Sequence, residues 1–219
     1  MPLFGKPKTI VGLDIGSSAV KAVELKAAGK GYKVTAYGAE PVPPEAIVDG
    51  AIIDAASVAD AIRRLFDGNK AFKAKEVCAS LSGNAVIVKK ITLPVMTERE
   101  LAESIYWEAE QYIPFDIQDV CLDYQVLQGP APDGRKSMDV LLVAAKRDKV
   151  ADFTAVIAAS GCVPAIIDVD AFALQNALEV NYGHDLTGVA VFLNVGASTI
   201  NLAIVSDGQA LFTRNISTG

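Results

Sequence analysis

The sequence predicts an α/β protein with mixed sheets. Three observations predict it. Strand-like runs alternate with helical ones, tight turns join several strands into two three-stranded meanders, and the first hairpin of the first meander recurs 180 positions later. With 219 residues, 51% of them hydrophobic and 21% charged, the chain is long enough for one or two domains and a substantial core.

Thr9 to Ile15 is an apolar, β-branched run closed by Gly16-Ser17-Ser18, and Val20 to Lys26 follows as a second strand. A Gly29-Lys30-Gly31 turn leads to an alternating strand from Tyr32 to Glu40. Val58, Ile62, Leu65 and Phe66 have helical spacing, which predicts a helix over Asp54 to Phe66, and Glu76 to Leu81 is a short strand. Thr97-Glu98-Arg99-Glu100 is a capping box that opens a helix stopped by Pro114. Val120 to Leu127 and Asp139 to Ala145 are strands about a polar turn with Asp133-Gly134. A helix spans Asp148 to Ser160 with Gly161 just past its end, then come a strand over Pro164 to Asp168 and a helix over Asp170 to Glu179. Val189 to Val195, Thr199 to Ser206 and Gln209 to Asn215 form the second meander, its last turn made by Asp207-Gly208.

Composition narrows the function. A net charge of −6 disfavours gripping DNA or an anionic bilayer by bulk charge. The single histidine, His184, is expected in a solvated loop and cannot build HExxH, three-histidine or two-histidine metal sites. Cys78, Cys121 and Cys162 are sparse and odd in number, as expected of reduced thiols filling small core sites in a cytosolic protein. Met1 to Lys6 has no apolar h-region, so no signal peptide is expected. Leu186 to Ser206 holds no charged residue over 21 positions, the length of a membrane span. Its interior contains Asn194, Gly196, Ser198, Thr199 and Asn201, which predicts two fully buried strands around a polar loop instead.

The repeat carries the chemistry. Leu13-Asp14-Ile15-Gly16-Ser17-Ser18-Ala19-Val20 matches Leu193-Asn194-Val195-Gly196-Ala197-Ser198-Thr199-Ile200, each at the first turn of a meander. Glycine at the turn lets backbone N–H groups approach an anion, and Ser17 and Ser18 add hydroxyls to that phosphate nest. Lys21 supplies positive charge, and Asp14 suits a hydrated Mg²⁺ better than a phosphate, because two anions repel. Two such turns facing each other would clamp a polyphosphate. There is no GxxxxGK[ST], no GxGxxG after a strand and no GxSxG.

On these residues the chain resembles the actin/Hsp70/sugar-kinase ATPase superfamily, Gly16 and Gly196 marking its two phosphate loops and Ile167 to Leu174 its connecting helix. Within it, Val11 to Ser18, Glu108-Ala109-Glu110-Gln111-Tyr112-Ile113-Pro114-Phe115 and Leu122 to Leu127 resemble the PilM family of type IV pilus assembly proteins, relatives of the division protein FtsA. The resemblance runs from about Lys8 to Gly219. It implies an actin-like (ribonuclease H-like) α/β fold with subdomain 1A in residues 1–85 and 164–185, an FtsA-type subdomain 1C in 86–163, and the start of subdomain 2A in 186–219. The remainder of lobe 2, with its adenosine-binding glycine motif, would lie beyond Gly219, so residues 1–219 alone are expected to bind ATP poorly.

The resemblance further implies ATP and Mg²⁺ as ligands. Asp14, Gly16, Ser17, Ser18 and Lys21 would serve on one side, Asn194, Gly196, Ala197, Ser198 and Thr199 on the other, with Asp14 reaching the metal through water. Asp170 matches the acidic residue that positions water or metal. Asn194 departs from the aspartate common in the superfamily, which implies at most a slow ATPase. The implied partner is the N-terminal cytoplasmic tail of PilN, lying in a groove between subdomains 1A and 1C that Tyr112, Ile113 and Phe115 would line; the same three residues also suit a helix end and a subdomain core. Other pilus platform proteins, motor ATPases and further copies in a ring are implied too. That places the protein in the bacterial cytoplasm, peripheral to the inner membrane through a protein partner, in the service of twitching motility. The alternatives are an FtsA-like division protein and a small-molecule kinase of the same superfamily.

Overall fold

The computed structural model describes residues 9–29, 31–128, 137–183, 188–206 and 209–217. The chain begins β1 (Val11–Ile15), β2 (Ala19–Ala28), β3 (Gly31–Pro41), β4 (Ile47–Val48), β5 (Ala51–Ile52), α1 (Ala55–Gly68) and β6 (Glu76–Leu81). It continues with β7 (Val86–Pro94), α2 (Glu98–Glu110), β8 (Val120–Gln128), β9 (Ser137–Lys146) and α3 (Arg147–Ala159). It closes with β10 (Val163–Val169), α4 (Asp170–Tyr182), β11 (Val189–Val195), β12 (Ile200–Ser206) and β13 (Gln209–Ile216). Two compact units emerge, residues 1–83 with 151–219 and residues 84–150.

The first unit is built on a five-stranded sheet in the order β10-β6-β1-β2-β3. β1, β6 and β10 run parallel, while β2 and β3 are antiparallel additions. Strict alternation makes this possible: Val11 and Leu13 on β1 and Val77, Ala79 and Leu81 on β6 all point to one buried face. α1 covers that face with Val58, Ile62, Leu65 and Phe66, and Asp54 caps it by accepting from the Ser57 amide at 3.0 Å. The unit also contains the antiparallel sheet β11-β12-β13.

Glu24 on β2 is 4% exposed inside this unit. Its carboxylate accepts from the amides of Lys73 (2.8 Å) and Ala74 (3.1 Å) and from the Thr35 hydroxyl (3.0 Å). Burial pushes the carboxyl up, but these three donors outweigh it and hold Glu24 below its ordinary value.

The second unit is a three-stranded antiparallel sheet, β7-β9-β8, with α2 against it. Leu101, Ile105 and Ala109 of α2 meet Ile91, Leu93, Val140 and Leu142 in its core. The capping box is complete: Thr97 Oγ1 accepts from the Glu100 amide, and Glu100 accepts from the Thr97 amide at 2.7 Å.

The compact inserted unit, 84–150, is shorter than the 86–163 expected of the insert, with Val156, Ile157 and Cys162 packed into the core of the first unit. The second meander is grouped with that first unit, and one expectation about it needs correction. Its strands lie where expected, but they are not fully buried: Val189, Val191, Leu193 and Val195 on β11 are 57–68% exposed, while Ala203 and Val205 on β12 are buried. The sheet therefore has one covered and one open apolar face. β7 also went unpredicted, since Lys89-Lys90 interrupts its alternation. His184 and the turns at Asp133-Gly134 and Asp207-Gly208 lie outside the described residues. Among the described residues, no helix is long and apolar enough to cross a membrane.

Candidate functional site

The two halves of the repeat fold alike down to single hydrogen bonds. In the first, β1 and β2 pair Ile15 with Val20, and the Gly16 amide donates to the Ala19 carbonyl at 3.2 Å. In the second, β11 and β12 pair Val195 with Ile200, and the Gly196 amide donates to the Thr199 carbonyl at 2.9 Å. Neither turn leaves free room for a side chain. A Cβ on Gly16 would stand 3.1 Å from the Ala19 oxygen, and one on Gly196 would stand 2.9 Å from the Thr199 oxygen. The turns also meet: Ser17 and Ser198 share a hydrogen bond, Oγ to Oγ, at 2.9 Å. Residues 181 positions apart thus place both hairpins at one locus within the first unit.

What flanks the turns differs. In the first, Asp14 and Lys21 are cross-strand partners joined at 2.8 Å, with side chains 62% and 57% exposed. The Lys21 Nζ lies 3.7 Å and the Asp14 carboxylate 4.0 Å from where a Gly16 Cβ would be. In the second, the equivalent cross-strand partners are Asn194 and Asn201. The Asn194 amide donates to the Asn201 carbonyl oxygen at 3.3 Å, and the Asn201 amide donates on to Asn215. An ion pair in one hairpin is an amide ladder across three strands in the other.

Asp170 opens α4 directly after β10, and the Ser80 hydroxyl at the end of β6 donates to its Oδ1. Ser80 pairs in register with Asp168 on β10. The carboxyl ends of the parallel strands β1, β6 and β10 therefore carry Asp14, Ser80 and Asp168–Asp170, the side of a parallel sheet where ligands are bound.

Ser80 and Asn215 escaped the sequence reading, and Asn201 entered it only as part of a polar loop. Asn201 was within reach: it is the 180-offset counterpart of Lys21, one step past the matched segments. No group of three or more metal-binding side chains occurs among the described residues, so a Mg²⁺ here would depend on Asp14, water and its ligand's own oxygens.

The three residues expected to line a partner groove lie in or against the core of the second unit. Ile113 is buried in the core of the second unit, and Tyr112 and Phe115 pack against it. Lys89 lies over the Tyr112 ring at 5.1 Å and Lys146 over Phe115 at 4.4 Å. The first unit does hold a cleft of about 430 Å³ between α1 and α3. Ala55, Ala56, Ala59, Ala155 and Ala159 wall it, with Asp60, Arg63 and Asp152 at its edge. Arg63 is turned to Asp60 and donates to the Ala159 carbonyl at 2.8 Å, tying α1 to the end of α3.

The family model for type IV pilus assembly protein PilM matches residues 12–219. The chain belongs to the PilM family. A solved PilM–PilN type IV pilus biogenesis complex contains a chain similar to this one at 30% identity and a TM-score of 0.82, over 95% of this chain. This chain spans 61% of that relative's length. The cytoplasmic domain of EpsL, an inner-membrane component of the type II secretion system of Vibrio cholerae, is similar at 15% identity and a TM-score of 0.57, over 96% of this chain and 71% of its own. The ethanolamine utilization protein EutJ of Carboxydothermus hydrogenoformans is similar at 14% identity and 0.54, over 98% of this chain and 53% of its own. The fold is the actin-like, ribonuclease H-like ATPase fold.

Proposed function

We propose that this protein is a scaffold of the type IV pilus inner-membrane platform that binds Mg²⁺-ATP at the paired hairpins and the N-terminal cytoplasmic tail of PilN. The observation that carries the nucleotide half is the Ser17–Ser198 contact, which brings two glycine-bound turns to one point. Backbone amides and the hydroxyls of Ser17, Ser18, Ser198 and Thr199 are donors suited to phosphate oxygens, Gly16, Gly196 and Ala197 keep the approach open, and Lys21 adds the positive charge. Asp14 would orient the metal's water shell, and the bound Mg²⁺ would neutralise phosphate charge. Asp170, held by Ser80, would position a water. Asn194 carries no carboxylate and its amide is engaged in the ladder, so turnover would be slow at most.

The partner half rests on family membership and on the relative solved with PilN. The alanine-walled cleft between α1 and α3 has the size and apolar lining that take the side chains of a short peptide. Tyr112 and Phe115 are partly buried against the core of the second unit, and Ile113 lies within that core. We assign residues 84–150 to the inserted subdomain 1C and the hairpin sheets to 1A and the start of 2A. Recruitment to the inner-membrane face, and contacts with other platform proteins, motor ATPases and further copies, follow from this reading. No observation favours the division-protein or small-molecule-kinase alternatives.

Calorimetric titration with a synthetic PilN N-terminal peptide, with and without Mg²⁺-ATP, tests the proposal. Binding in at least one state is expected, and Ala155→Trp, which fills the cleft from its exposed edge, should abolish it. No binding in either state removes the scaffold assignment.

A further inference from the structure

Two exposed surfaces lie outside the nucleotide and peptide sites, and their chemistries match; the inference drawn from them deepens the reading that further copies associate. The first is on α2. Tyr106 is 52% and Trp107, the chain's single tryptophan, 72% exposed. Glu103 and Glu110 stand four residues before and three after Trp107, so both carboxylates lie on its face of the helix; both are exposed, and Glu103 also accepts from Arg99 Nε at 3.0 Å in an exposed ion pair. Large aromatics left in solvent between carboxylates are the composition of an interface centre that takes a cation.

The second surface is on the β2–β3 hairpin, at the edge of the five-stranded sheet. Lys26 and Lys33 are direct cross-strand partners there, and both are exposed. Like charges opposite each other weaken a strand pair. The arrangement is relieved when an anionic group sits between the two ammoniums, and their long stems offer an aromatic ring an apolar bed.

We infer that the hairpin of one copy docks on α2 of a second copy, Lys26 and Lys33 straddling Trp107 and pairing with Glu103 and Glu110. The contact is heterologous, each copy offering one half and accepting the other, which is the arrangement that extends into rings or filaments. It is independent of the nucleotide and peptide sites, since it uses none of their residues.

Sedimentation equilibrium of the 219-residue chain tests it, with Trp107 emission as a local reporter. Self-association with a Kd of about 10–100 µM is expected, the weak end of specific contacts. It should weaken steeply when salt rises to about 0.5 M, and Trp107 emission should shift to the blue with concentration. Trp107→Ala and the double variant Lys26→Glu/Lys33→Glu should each be monomeric with unchanged circular dichroism. Mixed together, they should form a one-to-one dimer, because each keeps the half the other has lost. Adding Glu103→Lys/Glu110→Lys to the lysine double variant should restore association. A chain that stays monomeric, variants that associate like the parent, or a mixture that does not pair would each overturn the inference.

Discussion

The two hairpins share a turn and the hydrogen bond that closes it, and differ in the cross-strand pair that flanks it. The first sets its turn beside an exposed ion pair, Asp14–Lys21, and draws its stability from the neighbouring strand, where Glu24 ties β2 to β3 and to the segment before β6. The second sets the same turn on an uncharged ladder, Asn194–Asn201–Asn215, and carries Ile204 where the first carries Glu24. The difference teaches that turn geometry and turn chemistry are separable. A glycine and a hydrogen bond make the nest, and the flanking cross-strand pair decides whether it carries charge.

The largest predicted effect breaks the support of the first hairpin. Glu24→Ala strands two backbone amides, so a loss of about 2–5 kcal/mol is expected in urea unfolding. The pH dependence has a definite sign. Glu24 is held below its ordinary value of 4.5, so its contribution is complete above that value and drains away as pH falls through the lower folded-state value. The parent should lose stability on acidification below about pH 4.5, and Glu24→Gln should flatten that part of the profile.

Next comes the ladder. Asn201 is 8% exposed and is both acceptor and donor, so Asn201→Ala should cost about 1–3 kcal/mol. By contrast, Lys21→Ala breaks only an exposed ion pair and should change stability by less than about 1 kcal/mol. If the nucleotide reading holds, the order inverts for phosphate: Lys21→Ala should weaken binding of inorganic tripolyphosphate more than Asn201→Ala does. Equal losses of stability in the two variants would refute the distinction drawn here.

The glycines sharpen the comparison at finer scale. The Gly196 turn is tighter by 0.2 Å where a Cβ would strike carbonyl oxygen, 2.9 against 3.1 Å. Gly196→Ala should therefore destabilise by about 1–2 kcal/mol and Gly16→Ala by less, measured by thermal unfolding of the two variants side by side.

Much of the fold was legible in the residues. Thr97 and Glu100 specify the start of α2 through a local bond pair, and Gly161 marks the end of α3 with a φ of +87°. Strand and helix positions followed from periodicity, except at the two-residue strands β4 and β5 and at β7, where two lysines in a row hid a strand that sends Ile91 and Leu93 into the core. The turn residues of the candidate site were legible too, because the repeat placed Gly16 and Gly196 in equivalent contexts.

By itself the sequence determined the local rules: which segments are strands, where helices begin, and that two turns 180 residues apart obey the same geometry. These are short-range effects of dihedral preference, capping and alternation, and they survive without knowledge of the neighbours. Only the tertiary structure decided what the turns face and what supports them. Ser17 meets Ser198 between the turns of two separate sheets, while Ser80 holds Asp170 and Asn201 links Asn194 to Asn215 because sheet register brings distant strands into line. Burial was settled at the same level: Ile113 went to a core, and alternate residues of β11 stayed open, since which face of an apolar strand is covered depends on what packs against it.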